Sequence, residues 1–430
     1  MMTALGIVLF FVGILISIAW HELGHFVTAR WFGIKVPEFM VGFGRTIWSR
    51  QVGETEFGLK AVPLGGYIRM IGMIPPAKGE TLGRSRRTGP FQGMIDDARQ
   101  QSAMDVLPED ADRQFYLRAP WKRIIVMFAG PFMNLILAVV LFAIVLMGIG
   151  VPTGSTTTVS AVSACVVPAT AASQQCPPGA PPTPAAAAGF RAGDTIVAFN
   201  GQPFAERDWP RLQETIRAAT GTVTVTVERD GQRLDLRPTL ITTELPSLTD
   251  ENETVQASFL GLSPVRFYER QDLAAVGAQI GDIVGRTGQA IVELPSRVPG
   301  LFGAAFLGEE RDINGPVGIV GASRIGGEIL ALDAPAAAEL SIFLQLLAAV
   351  NISLFLFNLL PIPPLDGGQI FPAIWESIKR RSARLLGRPD PGPVDVAKLM
   401  PVAYVVALVF IAWSGLILVA DVINPVRLPQ

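Results

Sequence analysis

From Ala4 to Trp20 the chain is apolar, interrupted only by Ser17 and carrying no charge. Four stretches of this kind occur, at about 4–32, 123–150, 338–360 and 400–420. Each is long enough to cross a hydrocarbon core of ~30 Å as a helix. Between them the pattern changes. Phe57 to Val62 mixes apolar and polar residues as a strand does, and leads into Pro63-Leu64-Gly65-Gly66-Tyr67. Gly42-Phe43-Gly44 permits a tight bend upstream. Short strands are predicted here, folded back against the membrane. They are tolerable only if packed on protein or lining a wet cavity. Residues 74–112 are rich in Gly, Pro and charge and read as a mobile loop.

Residues 151–188 are rich in Ala, Pro, Ser and Thr, part of them linker, although Val159 to Val167 could form a strand. Beyond them a compact domain is predicted. Strand Thr195–Phe199 is followed by an Asn200-Gly201 turn and a helix capped by Asp208. The alternating Thr222–Val227 then pairs across Asp230-Gly231 with Arg233–Leu240. Residues 266–336 form a connector with amphipathic stretches.

The fold class is therefore a polytopic α-helical membrane protein: four transmembrane helices, a membrane re-entrant β element and one inserted extracytoplasmic α+β domain. The expected order is a first span in 1–34, the β element in 35–72, a cytoplasmic loop in 73–122 and a second span in 123–150. A linker over 151–185, the domain over 186–245 and an extracytoplasmic connector over 246–337 follow. The third span covers 338–363, a second cytoplasmic loop 364–399 and the fourth span 400–422.

Composition agrees. Half of the 430 residues are hydrophobic and 17% charged, with a mean hydropathy of +0.40, too apolar for an ordinary soluble chain. The net charge of -2 gives no case for a nucleic-acid partner. The basic residues set orientation. Lys35, Arg45 and Arg50 follow the first span, Arg118, Lys122 and Arg123 precede the second, and Lys379, Arg380, Arg381, Arg384 and Arg388 lie between the last two. Both termini are then outside and 33–122 and 361–399 cytoplasmic, with 151–337 external by parity. Two cysteines, Cys165 and Cys176, are either a disulfide or two free thiols.

The chain's only histidines are four apart, in His21-Glu22-Leu23-Gly24-His25. On a helix both imidazoles share a face and can reach one metal ion, and Glu22 projects about 100° round, where it can serve as a base. Seventeen residues of helix put His21 roughly 25 Å along the span. Ionisable groups at such depth call for a function. An open zinc site needs a third protein ligand. No histidine remains and the cysteines lie on the wrong side, which leaves a carboxylate. Asp366 is the sharpest candidate, in Asn358-Leu359-Leu360-Pro361-Ile362-Pro363-Pro364-Leu365-Asp366-Gly367-Gly368. Asn358 could orient a substrate carbonyl, and Asn134 reads first as an amide bonded across helices.

These residues resemble the site-2 protease family of intramembrane zinc metalloproteases, in its bacterial regulator-of-sigma-E protease type. His21 to His25 resembles the first-helix motif. Gly42-Phe43-Gly44 and Pro63 to Tyr67 look like the re-entrant β element. Gly130-Pro131 with Asn134 resembles the second-helix motif, and Asn358 with Pro361, Pro363, Leu365, Asp366 and Gly367 the second metal motif. Residues 186–245 are similar to a circularly permuted PDZ domain. Relatives of the enterobacterial type carry two such domains, and one is traceable here. The resemblance implies Zn2+ on His21, His25 and Asp366 with Glu22 as base. It also implies a membrane-anchored protein substrate, often an anti-sigma factor already trimmed by an upstream site-1 protease. It puts the chain in the bacterial cytoplasmic membrane.

The expected activity is hydrolysis of a peptide bond in a single-span protein. The helical substrate must unwind, and the main chain around Phe57, Leu59 and Ala61 is the expected edge for capturing it as an added strand. The inserted domain is expected to act as a size filter. A metal-binding scaffold or carrier that recruits partners is the rival reading, and it has no need of Glu22.

Overall fold

The computed structural model describes residues 2–76, 91–104, 106–166, 176, 179–248, 254–312, 315–331 and 335–426. The loop expected in 73–122 therefore falls in part, at 77–90 and 105, outside the described residues. Two compact units divide the chain: Met1–Val145 with Leu273–Pro429, and Leu146–Asp272.

In the first unit α1 (Met2–Trp31) carries the apolar run. A hairpin follows, β1 (Glu38–Val52) and β2 (Thr55–Arg69), with longer strands than the pattern predicted. It closes on itself. Glu38 to Val41 lies opposite Arg69 to Gly66 on one side and opposite Glu56 to Leu59 on the other, while Trp48 to Val52 lies opposite Leu59 to Thr55. The bend is made at Gly42, with φ +93°, where a Cβ would meet two carbonyl oxygens at 2.9 Å. Phe57 and Leu59 thus have strand neighbours on both sides. Their main chain is not a free edge, which changes where an added strand could pair.

After α2 (Gln92–Met104), α3 (Pro120–Ala143) returns antiparallel to α1. Trp20 Nε1 donates to Met133 O at 3.0 Å. Gly24 lets the helices approach so closely that a Cβ would lie 2.4 Å from Ala129 O.

The second unit contains β3 (Val151–Val162), α4 (Pro184–Ala188), β4 (Thr195–Phe199), β5 (Gln202–Pro203), α5 (Trp209–Ala218), β6 (Val225–Arg229), β7 (Gln232–Leu236), β8 (Ile241–Pro246), β9 (Thr254–Phe259) and β10 (Leu262–Glu269). The main sheet runs β10-β3-β4-β6-β7 with β5 on β4, and β8 pairs β9 separately. Ile196, Phe199, Leu212, Val225 and Val227 fill its core. Asn200 and Asp230 take positive φ at the two anticipated turns. The domain expected over 186–245 is wider in the structure. β3 lies in the expected linker and β10 in the expected connector, yet both are strands of this sheet. The strand expected over Val159 to Val167 overlaps only the end of β3; polar composition hid its first part, which buries Thr156 and Thr157. Cys165 and Cys176 are disulfide-bonded.

The chain re-enters the first unit as α6 (Leu273–Phe302), α7 (Ile319–Ile329), α8 (Ala336–Asn358), α9 (Gly367–Leu385) and α10 (Met400–Ile423). α8 runs parallel to α1. Phe343 meets Phe10 with ring centres 5.2 Å apart, and Asn351 Nδ2 donates to Ser17 Oγ at 2.9 Å. The one polar interruption of the first apolar run is therefore a buried bond between spans.

Among the described residues five helices are long and apolar enough to cross a bilayer, one more than the four expected. The protein is a multi-pass membrane protein. The additional helix, α6, belongs to the stretch expected as connector. It does not run from one end of the bundle to the other. Its N-terminal half lines a cavity of about 980 Å³ with Phe142, near the end of α3. Its C-terminal end packs Leu301 against Ile417 and Ala420 of α10. There Asp421 accepts from the Gly318 and Gly321 N–H groups at the start of α7. α7 in turn lays Gly326 and Gly327 on Phe10 and Gly6 of α1. Both ends of α6 therefore lie towards the Met2 end of α1.

Candidate metal centre

A helical i, i+4 spacing points His21 and His25 of α1 to one side, and both rings are buried. The breaker run after α8 brings Asp366 to them. Pro361 to Pro364 prevents α8 from continuing. Gly367 and Gly368 fold the loop back on itself: a Cβ at 367 would lie 2.2 Å from Leu360 O, and one at 368 would lie 2.5 Å from Pro363 N. Asp366 stands at the N-cap of α9 but makes no capping hydrogen bond. Its Oδ2 instead lies 3.1 Å from His21 Nε2 and 3.3 Å from His25 Nε2, and the two Nε2 atoms are 3.1 Å apart.

The outer nitrogens are occupied. His25 Nδ1 is 2.7 Å from Val126 O, an acceptor only, so Nδ1 carries the proton and Nε2 offers a lone pair. The Asn134 side-chain amide is 3.2 Å from His21 Nδ1. With the amide oxygen turned to the ring it accepts from Nδ1–H, and the His21 Nε2 lone pair also faces inward. That orientation gives Asn134 Oδ1, otherwise buried without a partner, its hydrogen bond. Asp366 Oδ2 is likewise buried without a hydrogen-bond donor. Two neutral imidazoles and a carboxylate then direct lone pairs into one space, their ligand atoms all within 4.8 Å of one another. Two nitrogens and one oxygen, with a further position left open, suit zinc.

Glu22 is buried beside this cluster. Gly66 of β2 comes so near that a Cβ there would sit 3.0 Å from Glu22 Cγ, and the Ile68 main chain is its hydrogen-bonding neighbour. The part of the hairpin that reaches the centre is therefore Gly66 to Ile68, not 57–61. Phe57 packs on Phe26 and Phe39, with ring centres at 5.4 and 5.3 Å. Leu59 and Ala61 are exposed. Asn358 donates to Leu354 O at 3.0 Å within its own helix, and has no hydrogen bond to His21, His25 or Asp366.

Sequence reasoning named Gly130 as part of a motif without giving it a role, and missed the Val126 carbonyl and Glu376. Gly130 packs directly under the His25 ring. The Val126 carbonyl carries no side-chain signal that could have revealed it. Glu376, fully buried on α9, pairs with Arg123 of α3 at 2.6 Å and with Arg380 at 2.9 Å, holding the helix that begins at Asp366. The charge at 376, among Ile374, Trp375 and Ile378, was the available clue.

A family model described as Peptidase family M50 matches residues 9–386. Zinc metalloprotease Rip1 of Mycobacterium tuberculosis is 35% identical over 444 residues, covering 100% of each chain. Zinc metalloprotease Rip1 of Mycolicibacterium smegmatis is 33% identical over 446 residues, also covering 100% of each. Metalloprotease MmpA of Caulobacter vibrioides is 29% identical over 391 residues, covering 87% of each chain. Near-complete coverage by the family model, with relatives named as zinc metalloproteases, places this chain in Peptidase family M50, the site-2 proteases.

Proposed function

We propose that the protein is an intramembrane zinc metalloendopeptidase that cleaves single-span membrane proteins, anti-sigma factors trimmed by a prior protease among them. The observation that supports this most is the convergence of His21, His25 and Asp366 beside Glu22. His21 Nε2, His25 Nε2 and an Asp366 carboxylate oxygen hold the ion. When bound there, zinc would supply a Lewis acid for the scissile carbonyl and would make water a stronger acid. Glu22 takes the proton from the attacking water on a carboxylate oxygen and passes it to the leaving amine nitrogen, so water adds across the C–N bond. Asn134 and the Val126 carbonyl keep both imidazoles in the tautomer that binds. Asn358, at the last turn of α8, orients substrate.

Basic residues beyond the Trp31 end of α1 and before α3 support an orientation with those ends in the cytoplasm, and both termini and the Leu146–Asp272 unit outside the cytoplasmic membrane. α6 then rests at the outer face. Substrate capture by main-chain pairing remains part of this reading. Because both flanks of Phe57 and Leu59 are taken, the added strand pairs at the edge formed by Gly66 to Ile68, beside Glu22. Phe57 supports that edge from its aromatic cluster, and Leu59 and Ala61 offer side-chain contact. The inserted unit, read as PDZ-like, excludes substrates with bulky external domains. The deletion that tests this must remove the whole sheet, β3 to β10, since a cut at 186–245 strips β4 from β3 and β8 from β9. Such a deletion should increase cleavage of an untrimmed substrate and spare the trimmed one. Equal loss on both would reject the filter.

Purified protein carrying Glu22→Gln should keep stoichiometric zinc and lose turnover, because the amide keeps the shape and removes the base. Asp366→Ala should lose zinc as well. Near wild-type cleavage by Glu22→Gln would falsify the role of Glu22 as base, whereas zinc-loaded wild type that cleaves nothing would favour a metal-binding scaffold or carrier.

A further inference from the structure

α9 presents an apolar face to nothing in the described structure. Phe371, Ile374, Trp375, Ile378 and Leu385 are all exposed, between 42% and 81%. At about 100° per residue they occupy an arc of about 100° on one side of the helix. Lys379 and Arg381 fall about 80° from Phe371 on either side, one at each rim of the arc. Arg384 follows beyond Arg381. Lys379, Arg381 and Arg384 form no ion pair among the described residues, whereas Arg380, on the opposite side, is tied to Glu376 and Asp390. The exposed face has no acidic residue; the one carboxylate within α9, Glu376, is buried.

The direction of the helix matters as much as its face. From Asp366 to Glu376 it advances about 15 Å along its axis. Over the same interval its level on α3 changes only from Val126, bonded to His25, to Arg123, about 4.5 Å. α9 is therefore inclined to the spans rather than following α3. It lies at the end of the bundle where α8 stops and α10 starts, close to the hydrocarbon edge.

We propose that α9 is seated in the cytoplasmic leaflet. Its apolar arc enters the acyl region, and Lys379, Arg381 and Arg384 bind anionic phospholipid headgroups. A cationic amphipathic helix lying in the interface plane has this arrangement. The buried Glu376–Arg123 pair grips one face and the lipid grips the other. Since Asp366 is the N-cap residue of the same helix, acidic lipid positions the third ligand and so sets turnover. That last clause rests on the protease reading; the seating does not.

The test uses the full zinc-loaded chain in vesicles of phosphatidylcholine alone or of phosphatidylcholine with phosphatidylglycerol. No free cysteine is present, so Ile378→Cys gives one site for a nitroxide. In the anionic vesicles the label is expected to be shielded from a water-soluble relaxant and exposed to lipid-dissolved oxygen. Wild-type turnover is expected to be roughly three- to tenfold higher with phosphatidylglycerol. The triple variant K379Q/R381Q/R384Q should bind the same zinc and show no such ratio. A water-exposed label in both vesicles overturns the seating. Shielding that follows protein density rather than lipid overturns it too, since a second copy would then cover the face. Equal wild-type turnover in both vesicles overturns the positioning. An inserted label on a protein inactive in every membrane leaves the seating standing and counts against the protease reading.

Discussion

Gly130 of α3 lies under the His25 ring of α1 with no space for a side chain: a Cβ at 130 would sit 2.2 Å from Nε2. That atom is one of the three proposed to hold the ion. Gly130→Ala must therefore push the ring or part the helices. Zinc affinity should fall about 10- to 100-fold, the range seen when support of a ligand is lost. Competition against a chelator measures it. Unchanged affinity would mean that the α1–α3 contact yields, and that the glycine serves packing alone.

The apolar helices and the cluster of His21, His25 and Asp366 were legible in the sequence for one reason. Bilayer solvent leaves few places for charge, so His21, Glu22 and His25 stand out inside an apolar run, and the breaker cluster at Asp366 marks where a helix must stop. α6 was harder to place, because an amphipathic helix and a connector share one composition. The part of β3 before Val159 was hidden by threonines that pair across strands rather than reporting burial by hydrophobicity. The hairpin's closure on itself was not legible at all. Alternation predicts a strand, but the second neighbour of Phe57 and Leu59 arises only from the bend at Gly42. For that reason Leu59→Pro would break the hairpin itself and cannot isolate substrate pairing.

Gly66 gives the cleaner probe of the base. A methyl group there would meet Glu22 Cγ and Ile18 Cγ2 at 3.0 Å and Met40 O at 3.1 Å. Flanked by α1 and its own sheet, the new carbon has little room, and Glu22 is the neighbour with a rotatable side chain. Gly66→Ala should keep zinc and lower kcat by about tenfold or more, as expected when a general base is misplaced. A parallel loss of zinc would show that the whole helix had moved instead.

Arg123 and Glu376 form an ion pair in which both side chains are buried, at 2.6 Å. Removing one partner leaves a buried charge uncompensated. Arg123→Met or Glu376→Met alone should each cost about 3–5 kcal/mol, whereas the double variant should recover much of that loss. Denaturant unfolding in mild detergent closes the cycle. Additive losses would mean that Arg380 neutralises Glu376 unaided.

In the second unit, Asp194 is fully buried and accepts from Arg229 at 2.6 and 2.8 Å and from the Arg191 N–H at 2.8 Å. Burial by itself would raise the carboxyl. The Arg229 hydrogen bonds, helped by the Arg191 amide, outweigh it and hold the group below its ordinary range. A carboxyl depressed in the folded state contributes stability that is present above its unfolded pKa of about 4 and is lost as pH falls through the folded value. Asp194→Asn should therefore destabilise the β4–β6 region at neutral pH, and the gap from wild type should stay level down to about pH 5. Below about pH 4 it should close, because the wild-type carboxyl takes up a proton and loses the same advantage. Hydrogen exchange of β4 and β6 amides in the full chain, followed against pH, reads this locally. A gap that persists undiminished in strong acid would show that Asp194 acts through shape and hydrogen bonding, with its charge irrelevant.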